Sequence, residues 1–223
     1  MRDPARTREG LLETAIGLVW QSNYCSVGVD EICRRAGVTK GAFYHHFSSK
    51  ADLFYAAALH EKSRTQPELD AIFSPSLDPL ERLERLFDYI LLDAHAEQAA
   101  PDGDGVAPEV SGCPFFTAGG MVPTEETLVR QAAIDMADYA VRYAASLVRA
   151  LRDGGYLNGD PDPEQVGRMI FIFIQGLLVY GRAHNSRAAV EADLRDGMYR
   201  LLDLKAEHRH AAAPAQTELA AAV

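Results

Sequence analysis

Residues 29–47 read VDEICRRAGVTKGAFYHHF, a pattern that predicts two short helices joined by a tight turn. Gly37 follows the first helix at a position where a left-handed backbone conformation favours glycine. Val38 is the apolar residue of the turn and is expected to pack between the two helices. Thr39 precedes the second helix and offers its hydroxyl as a cap. This spacing is typical of a helix-turn-helix.

The second of these helices has two chemically different faces. Phe43 and Phe47, four residues apart, are expected in the core, while Lys40 and Tyr44 on the outer side could contact DNA phosphates or bases. Lys50, in the first turn of the fourth helix, is expected to add a phosphate contact. The predicted DNA-binding set is Thr39, Lys40, Gly41, Ala42, Tyr44, His45 and Lys50. The alternative is a small helical subdomain with a buried aromatic cluster and no DNA.

Helical periodicity extends in both directions from this segment. Before it, apolar residues recur at 11, 12, 15, 16, 19 and 20, which is one face of a first helix. After it, helices are predicted from Ser48 or Ser49 to Arg64 or beyond, and over about 80–97, 124–153, 161–184 and 187–206. Residues 99–114 and 119–123, rich in Gly, Asp and Pro, are interpreted as lacking long helices. The sequence therefore predicts an all-α protein.

Composition limits the class of protein. The chain has 223 residues and a net charge of −10. Residues 1–64 nevertheless hold nine basic against seven acidic side chains, so the acidity lies outside the segment proposed for DNA. The first residues predict no signal peptide, and the run 169–180 is short for a membrane span. With three widely spaced cysteines and neither a disulfide nor a zinc pattern, a cytoplasmic location is expected.

Residues 36–47 (AGVTKGAFYHHF), followed by 49–53 (SKADL), resemble the TetR family of one-component repressors. The resemblance is specific over roughly residues 6–60. It implies a DNA-binding head (1–48) and a ligand-binding and dimerisation domain (49–210). The Ala-rich composition of the last residues, with Pro214, predicts a disordered tail (211–223). Two positions depart from the family pattern, because Cys33 stands where a small residue is usual and Gly28 where a Ser or Thr cap is common. Neither belongs to the predicted DNA-facing set.

The last two predicted helices carry the candidate dimer interface. The helix that contains residues 169–180 is apolar on almost every side, which predicts burial by its own core and by a partner. The resemblance implies that these helices pair with those of a second copy, and the alternative is that both complete a monomer core. The predicted interface residues are Ile170, Ile174, Leu177, Leu178, Val190, Leu194, Met198 and Leu201.

A cavity for a small, largely apolar effector is expected among helices five to eight. Its candidate residues are Phe87, Cys113, Phe115, Phe116, Met136, Tyr139, Tyr143, Phe173 and Gln175. Taken singly, residues of these types are more often core than ligand contacts, so the prediction rests on the set as a whole. His184 is a further candidate polar anchor. Cys113 supports an alternative function, a repressor that senses electrophiles or oxidants through its thiol, unless it is simply a small buried hydrophobe.

Two other classes of protein compete with a regulator. An enzyme is disfavoured because the sequence contains no nucleophile elbow, metal-binding helix motif, phosphate loop or dinucleotide fingerprint. No metal or cofactor is predicted. A DNA-architectural or adaptor protein without a ligand is the second alternative. The resemblance to the TetR family implies a dimeric repressor, and we predict that it binds a palindromic operator and is released by a small molecule. The fourth helix alone is expected to connect the two domains.

Overall fold

The computed structural model describes residues 3–91, 110 and 112–209. Within these residues the chain is all-α, as the sequence predicts. The helices are α1 (Pro4–Gln21), α2 (Val29–Ala36), α3 (Lys40–His46), α4 (Lys50–Ile72), α5 (Pro79–Leu91), α6 (Pro114–Met121), α7 (Thr127–Asp153), α8 (Pro163–His184) and α9 (Arg187–Leu202). A short 3-10 helix, Ala206–His208, follows. The predicted tail, the end of the predicted fifth helix and most of the predicted loop lie outside the described residues.

The ends of these helices follow from local side-chain chemistry. The Thr39 hydroxyl accepts a hydrogen bond from the Ala42 amide at 3.2 Å, and the Ser49 hydroxyl accepts one from the Asp52 amide at 3.0 Å. Gly37 ends α2 in the left-handed region with φ of 63°. The predicted caps and the predicted turn glycine are confirmed. The last long helix stops earlier than expected, because Asp203 adopts a left-handed conformation with φ of 48°.

Helix α6 corrects the interpretation of residues 119–123 as helix-poor. The helix runs through Gly119 and Gly120 to Met121. A Cβ atom built on Gly119 would lie 2.3 Å from that of Ala133 in α7. This glycine therefore permits a close approach of two helices instead of breaking one.

Two apolar clusters form the interior. The first joins α1–α3 and the beginning of α4 to parts of α6 and α7, and the second lies among α5, α7, α8 and α9. The first cluster does not stop at residue 48, since Leu53 and Phe54 of α4 belong to it at 1% and 2% exposure. It also includes Phe115 of α6, whose ring centroid is 5.1 Å from that of Phe54.

Helix α8 is long and apolar enough to cross a membrane by length and composition, with a mean hydropathy of 1.3. Only 28% of its most apolar window is buried in the protomer. The buried side packs closely on α7, where a Cβ atom on Gly167 would lie 2.9 Å from the Ala145 backbone nitrogen. On the opposite side, Ile172 and Val179 are 65% and 53% exposed. The helix thus has one face in the core and one apolar face outside it.

Candidate functional site

The helix-turn-helix presents a short polar surface on α3. Phe43 and Phe47 are buried at 0% and 2% exposure, which confirms their predicted place in the core. Because they anchor one side of α3, the other side faces outward, and Tyr44 is 56% exposed. Of the other predicted DNA-binding residues, Thr39, Lys40, Gly41 and His45 are exposed and Ala42 is half-buried.

Ion pairs organise the charges around this surface. The Lys40 ammonium lies 2.6 Å from an Asp30 carboxylate oxygen, which raises the pKa of Lys40. Both side chains are largely exposed, so the pair is easily exchanged for another anion. Also on α2, Arg34 and Arg35 hydrogen-bond to Glu31 and lower its pKa to about 2. Acidic side chains of α2 therefore position the cationic side chains near this surface, Lys40 beside Asp30 and the two arginines beside Glu31.

Lys50 has a different environment from the one predicted. Its Nζ donates hydrogen bonds to the carbonyl oxygens of Tyr24 at 3.0 Å and Val27 at 3.1 Å. The same ammonium lies 4.0 Å from the centre of the Tyr24 ring, a cation–π contact. Burial lowers the pKa of Lys50 and raises that of Tyr24 to about 12. In this structure Lys50 links α4 to the loop between α1 and α2 through these hydrogen bonds, and its ammonium is not exposed for contact with a phosphate.

A second feature is an apolar cavity of about 200 Å³ inside the larger domain. Its walls come from α4, α5, α7 and α8, and it is closed on the head side by Trp20 of α1 and by Cys113 and Phe115 at the start of α6. The predicted site between helices five and eight is thus present as a cavity. Helices α1 and α4 complete it, which the sequence did not indicate.

The cavity also contains a buried carboxylate. Glu61 of α4 is 2% exposed and lines the cavity. Arg64, one turn later, reaches it from the surface and donates to both of its oxygens, at 2.7 Å and 3.1 Å. This pair offsets part of the cost of burying the charge. Glu61 was not among the predicted residues, because one acidic residue in an ordinary helical pattern gives no signal of burial.

Tyrosine hydroxyls supply the other polar groups of the cavity. Tyr139 of α7 is 5% exposed, and its hydroxyl makes no well-aligned hydrogen bond to any described residue, although Thr65 and Tyr143 lie beside it. Tyr143 instead donates to an Asp70 carboxylate oxygen at 2.5 Å. Burial raises the pKa of Tyr89 on α5, and the negative charge of Glu61 adds to this effect. All of these tyrosines remain neutral at ordinary pH.

The cavity brings together most, but not all, of the residues predicted for it. Those on its walls are Cys113, Phe115, Met136, Tyr139, Tyr143 and Gln175. The prediction does not hold for Phe87, which is fully buried against Tyr199, or for Phe116, which packs on Phe171. Phe173 points toward α9, where it occupies the space left open by Gly197. His184 is exposed at the end of α8 and anchors nothing in the cavity.

Cys113 is a cavity residue with a protonated thiol. Burial raises its pKa, and this outweighs the lowering by the amides of Phe115 and Phe116. Because the thiolate is the nucleophile, a raised pKa slows reaction with electrophiles. The geometry does not favour a sensing role for the Cys113 thiol over a structural role as a small apolar side chain.

Contacts between the cavity and the helix-turn-helix run through three helices. Trp20, in the last turn of α1, belongs to the core of the head and also lines the cavity. Phe115 of α6 lines the cavity and packs against Phe54 of α4. The prediction that α4 alone connects the two domains is therefore wrong, since α1 and α6 also touch both.

The residues predicted for a dimer interface lie mostly inside the protomer. Those buried in its core are Ile170, Leu177, Val190, Leu194 and Met198, while Ile174, Leu178 and Leu201 are half-buried. Fully buried side chains cannot contact a second copy without rearrangement. The apolar residues that α8 exposes are instead Met169, Ile172, Val179 and Tyr180. The apolar residues that α8 exposes to solvent are thus different from those predicted for the dimer interface.

Comparisons with known proteins cover both parts of the chain. Residues 11–57 match the family described as bacterial regulatory proteins, tetR family. The transcriptional regulator AcuR of Cereibacter sphaeroides is 30% identical over 181 residues, which span 79% of this chain and 77% of AcuR. The crystal structure of a regulatory protein TetR from Rhodobacter sphaeroides has a TM-score of 0.67 at 27% identity and covers 87% of this chain and 96% of that one. Reduced E. coli NemR has the same fold, with a TM-score of 0.70 at 18% identity over the same shares.

Proposed function

Since the chain belongs to the TetR family of bacterial transcriptional regulators, we propose that it is a dimeric repressor that leaves its operator when a small molecule fills the cavity. Members of the family are DNA-binding regulators and not enzymes. The observation that carries the proposal is the coexistence of an outward-facing α3 and an apolar cavity, with Trp20 belonging both to the core of the head and to the cavity wall. A regulator acts on chromosomal DNA, so we place it in the cytoplasm.

The proposed DNA contacts start from the exposed side of α3. Tyr44 would meet a phosphate or a thymine methyl, and Lys40 would exchange Asp30 for a phosphate. Gly41 carries no side chain, so the helix backbone can come near the groove. We leave Lys50 out of the phosphate set and give it the task of holding the α1–α2 loop against α4. The burial of Phe43 and Phe47 and the hydrogen bonds of Lys50 support these assignments.

The proposed dimer surface is the exposed apolar face of α8 together with the neighbouring outer face of α9. Exposed apolar side chains at 169, 172, 179 and 180 repeat with helical spacing, and a patch of this kind marks an interface in a DNA-binding regulator. Pairing through this face would place two heads on one duplex, as half-sites about one helical turn apart require.

The proposed release mechanism is a shift between two conformations of the dimer. A molecule that fills the cavity presses on Trp20 and Phe115, which belong to the packing of the head. If it binds better when the heads are farther apart, it moves the population away from the DNA-bound form.

The test is selection of genomic fragments by the purified protein, with Tyr44→Ala and Ile134→Ala compared. Ile134 is also exposed, at 48%, but belongs to α7 and not to α3 or to the proposed dimer surface. We expect the wild type to recover a palindrome of two half-sites, Tyr44→Ala to recover none, and Ile134→Ala to recover the same palindrome as the wild type. Normal DNA binding by Tyr44→Ala would contradict the placement of α3 in the groove.

A further inference from the structure

Among the described residues, the largely apolar walls of the cavity carry a buried carboxylate, Glu61, and a buried hydroxyl without a well-aligned partner, Tyr139, and this combination selects a class of ligand. We propose that the effector is a small uncharged aromatic molecule bearing a hydroxyl group, such as a phenol or benzylic alcohol, that donates to Glu61 and accepts from Tyr139. This inference rests on the proposed role of the cavity as the effector site.

The size of the ligand follows from the volume of the cavity. A cavity of roughly 150 Å³ lined by aliphatic and phenyl groups holds one benzene molecule. The cavity here measures about 200 Å³, so it takes one ring and a short substituent, about ten non-hydrogen atoms. Aromatic side chains on several walls, among them Tyr89, Phe115 and Phe171, offer edge and face contacts to such a ring.

Glu61 lines the cavity and is 2% exposed. Its negative charge raises the pKa of Tyr89 on α5 and of Cys113 before α6, two groups on other walls. A carboxylate can accept about four hydrogen bonds, so it can receive a ligand donor in addition to the bonds from Arg64. A bond to an ionised acceptor is among the stronger hydrogen bonds in proteins.

Tyr139 adds the second anchor. Its hydroxyl is buried without a well-aligned partner among the described residues, which is costly unless a ligand supplies one. Thr65, one turn beyond Glu61 on α4, lies beside this hydroxyl, so the two anchors are about one helical turn apart. A ligand hydroxyl can donate a hydrogen bond to Glu61 and accept one from Tyr139. It therefore suits these two anchors better than a group that can only donate or only accept.

The charge of the ligand is restricted by the same residues. An anion would meet the Glu61 carboxylate at close range and in apolar surroundings, where repulsion is strong. A cation would lose its hydration and would also face the guanidinium of Arg64, which already neutralises Glu61. A neutral hydroxyl avoids both costs.

The experiment uses the full-length protein and four probes of similar size: 4-propylphenol, n-butylbenzene, 4-ethylbenzoate and 4-ethylbenzylammonium. Binding is read from the fluorescence of Trp20, the single tryptophan of the chain and a wall of the cavity. We expect 4-propylphenol to bind at least ~10-fold more tightly than each of the others. Glu61→Gln should remove most of this preference and leave the affinity for n-butylbenzene within about twofold.

Two further variants make the result specific. Glu81→Gln changes a glutamate that also pairs with an arginine, Arg85, but on the outside of α5, and it should bind all probes as the wild type does. Tyr139→Phe should lower the affinity for 4-propylphenol alone, and it replaces Glu61→Gln as the test if that variant does not fold. Tighter binding of the benzoate or the ammonium probe, absence of 4-propylphenol binding, or an unchanged preference in both cavity variants would overturn the proposal.

The result also separates this inference from the proposed function. If 4-propylphenol binds with the expected preference but does not release the operator, the class of ligand stands and the coupling to DNA is wrong. If the operator is bound as a palindrome but no probe shows the preference, the regulator stands and the class of ligand is wrong.

Discussion

Shortening Ile172 on the outer face of α8 should weaken the dimer without unfolding the protomer. This side chain is 65% exposed in the protomer, so a partner packed on the face would remove most of that area from water. Replacing a fully buried isoleucine by alanine loses ~2.4 kcal/mol at ~0.8 kcal/mol per buried carbon. Scaled by the exposed fraction of 65%, the loss is ~1.5 kcal/mol in each protomer.

A symmetric interface contains the residue twice, so Ile172→Ala should reduce the free energy of dimerisation by ~3 kcal/mol. This corresponds to an increase of ~150-fold in the dimer dissociation constant. The measurement is sedimentation equilibrium over a wide range of protein concentration, with circular dichroism to check that the helices persist.

The matched control is Ile134→Ala on α7, since Ile134 is also an isoleucine exposed on a helix, at 48%, but lies away from α8's outer face. It should leave the dissociation constant within about twofold, as expected for a surface substitution outside the interface. The reasoning is refuted if Ile172→Ala dimerises as tightly as the wild type, or if Ile134→Ala weakens the dimer by a similar factor.

Three further predictions concern stability and reactivity. Lys50→Met should lower the free energy of unfolding by ~1–2 kcal/mol in calorimetry, because two loop carbonyls lose their donor; an unchanged melting temperature would show that the contacts are not stabilising. Gly167→Ala should cost ~1–3 kcal/mol, because its Cβ would press on the α7 backbone. Gly10→Ala is the control, because a Cβ atom at Gly10 would meet nothing within 4 Å, and it should raise the free energy of unfolding by up to ~1 kcal/mol. If Gly167→Ala and Gly10→Ala change the free energy of unfolding in urea equally, the close approach of α8 to α7 at Gly167 is contradicted. At neutral pH a thiol reagent should label the exposed Cys25 well before Cys113, which is half-buried and whose pKa is raised by burial. Equally fast labelling of Cys113, mapped by mass spectrometry, would favour a sensing role for its thiol.

Local chemistry along the chain was enough to predict the helix-turn-helix. A helix cap needs a hydroxyl at one position, a left-handed turn needs a residue such as Gly37, and two aromatics four residues apart define one face of a short helix. Each of these requirements is met within a few residues of sequence, so the positions of Thr39, Phe43 and Tyr44 on the helix follow from the sequence alone. Helical periodicity predicted the other long helices, and the resemblance of residues 36–53 to a family supplied their division into a head and a larger domain.

The surroundings of Glu61, Lys50 and α8 were decided by tertiary packing. The sequence shows a glutamate and a lysine in helical segments, but their burial depends on which distant helices and loops lie over them. Helix α8 is apolar on almost every side, so its sequence has no polar stripe that tells the inner face from the outer one. Only the position of α7 and α9 against it assigns Ile170 to the core and Ile172 to the surface, because a helix turns by roughly 100° per residue and two positions are enough to change faces.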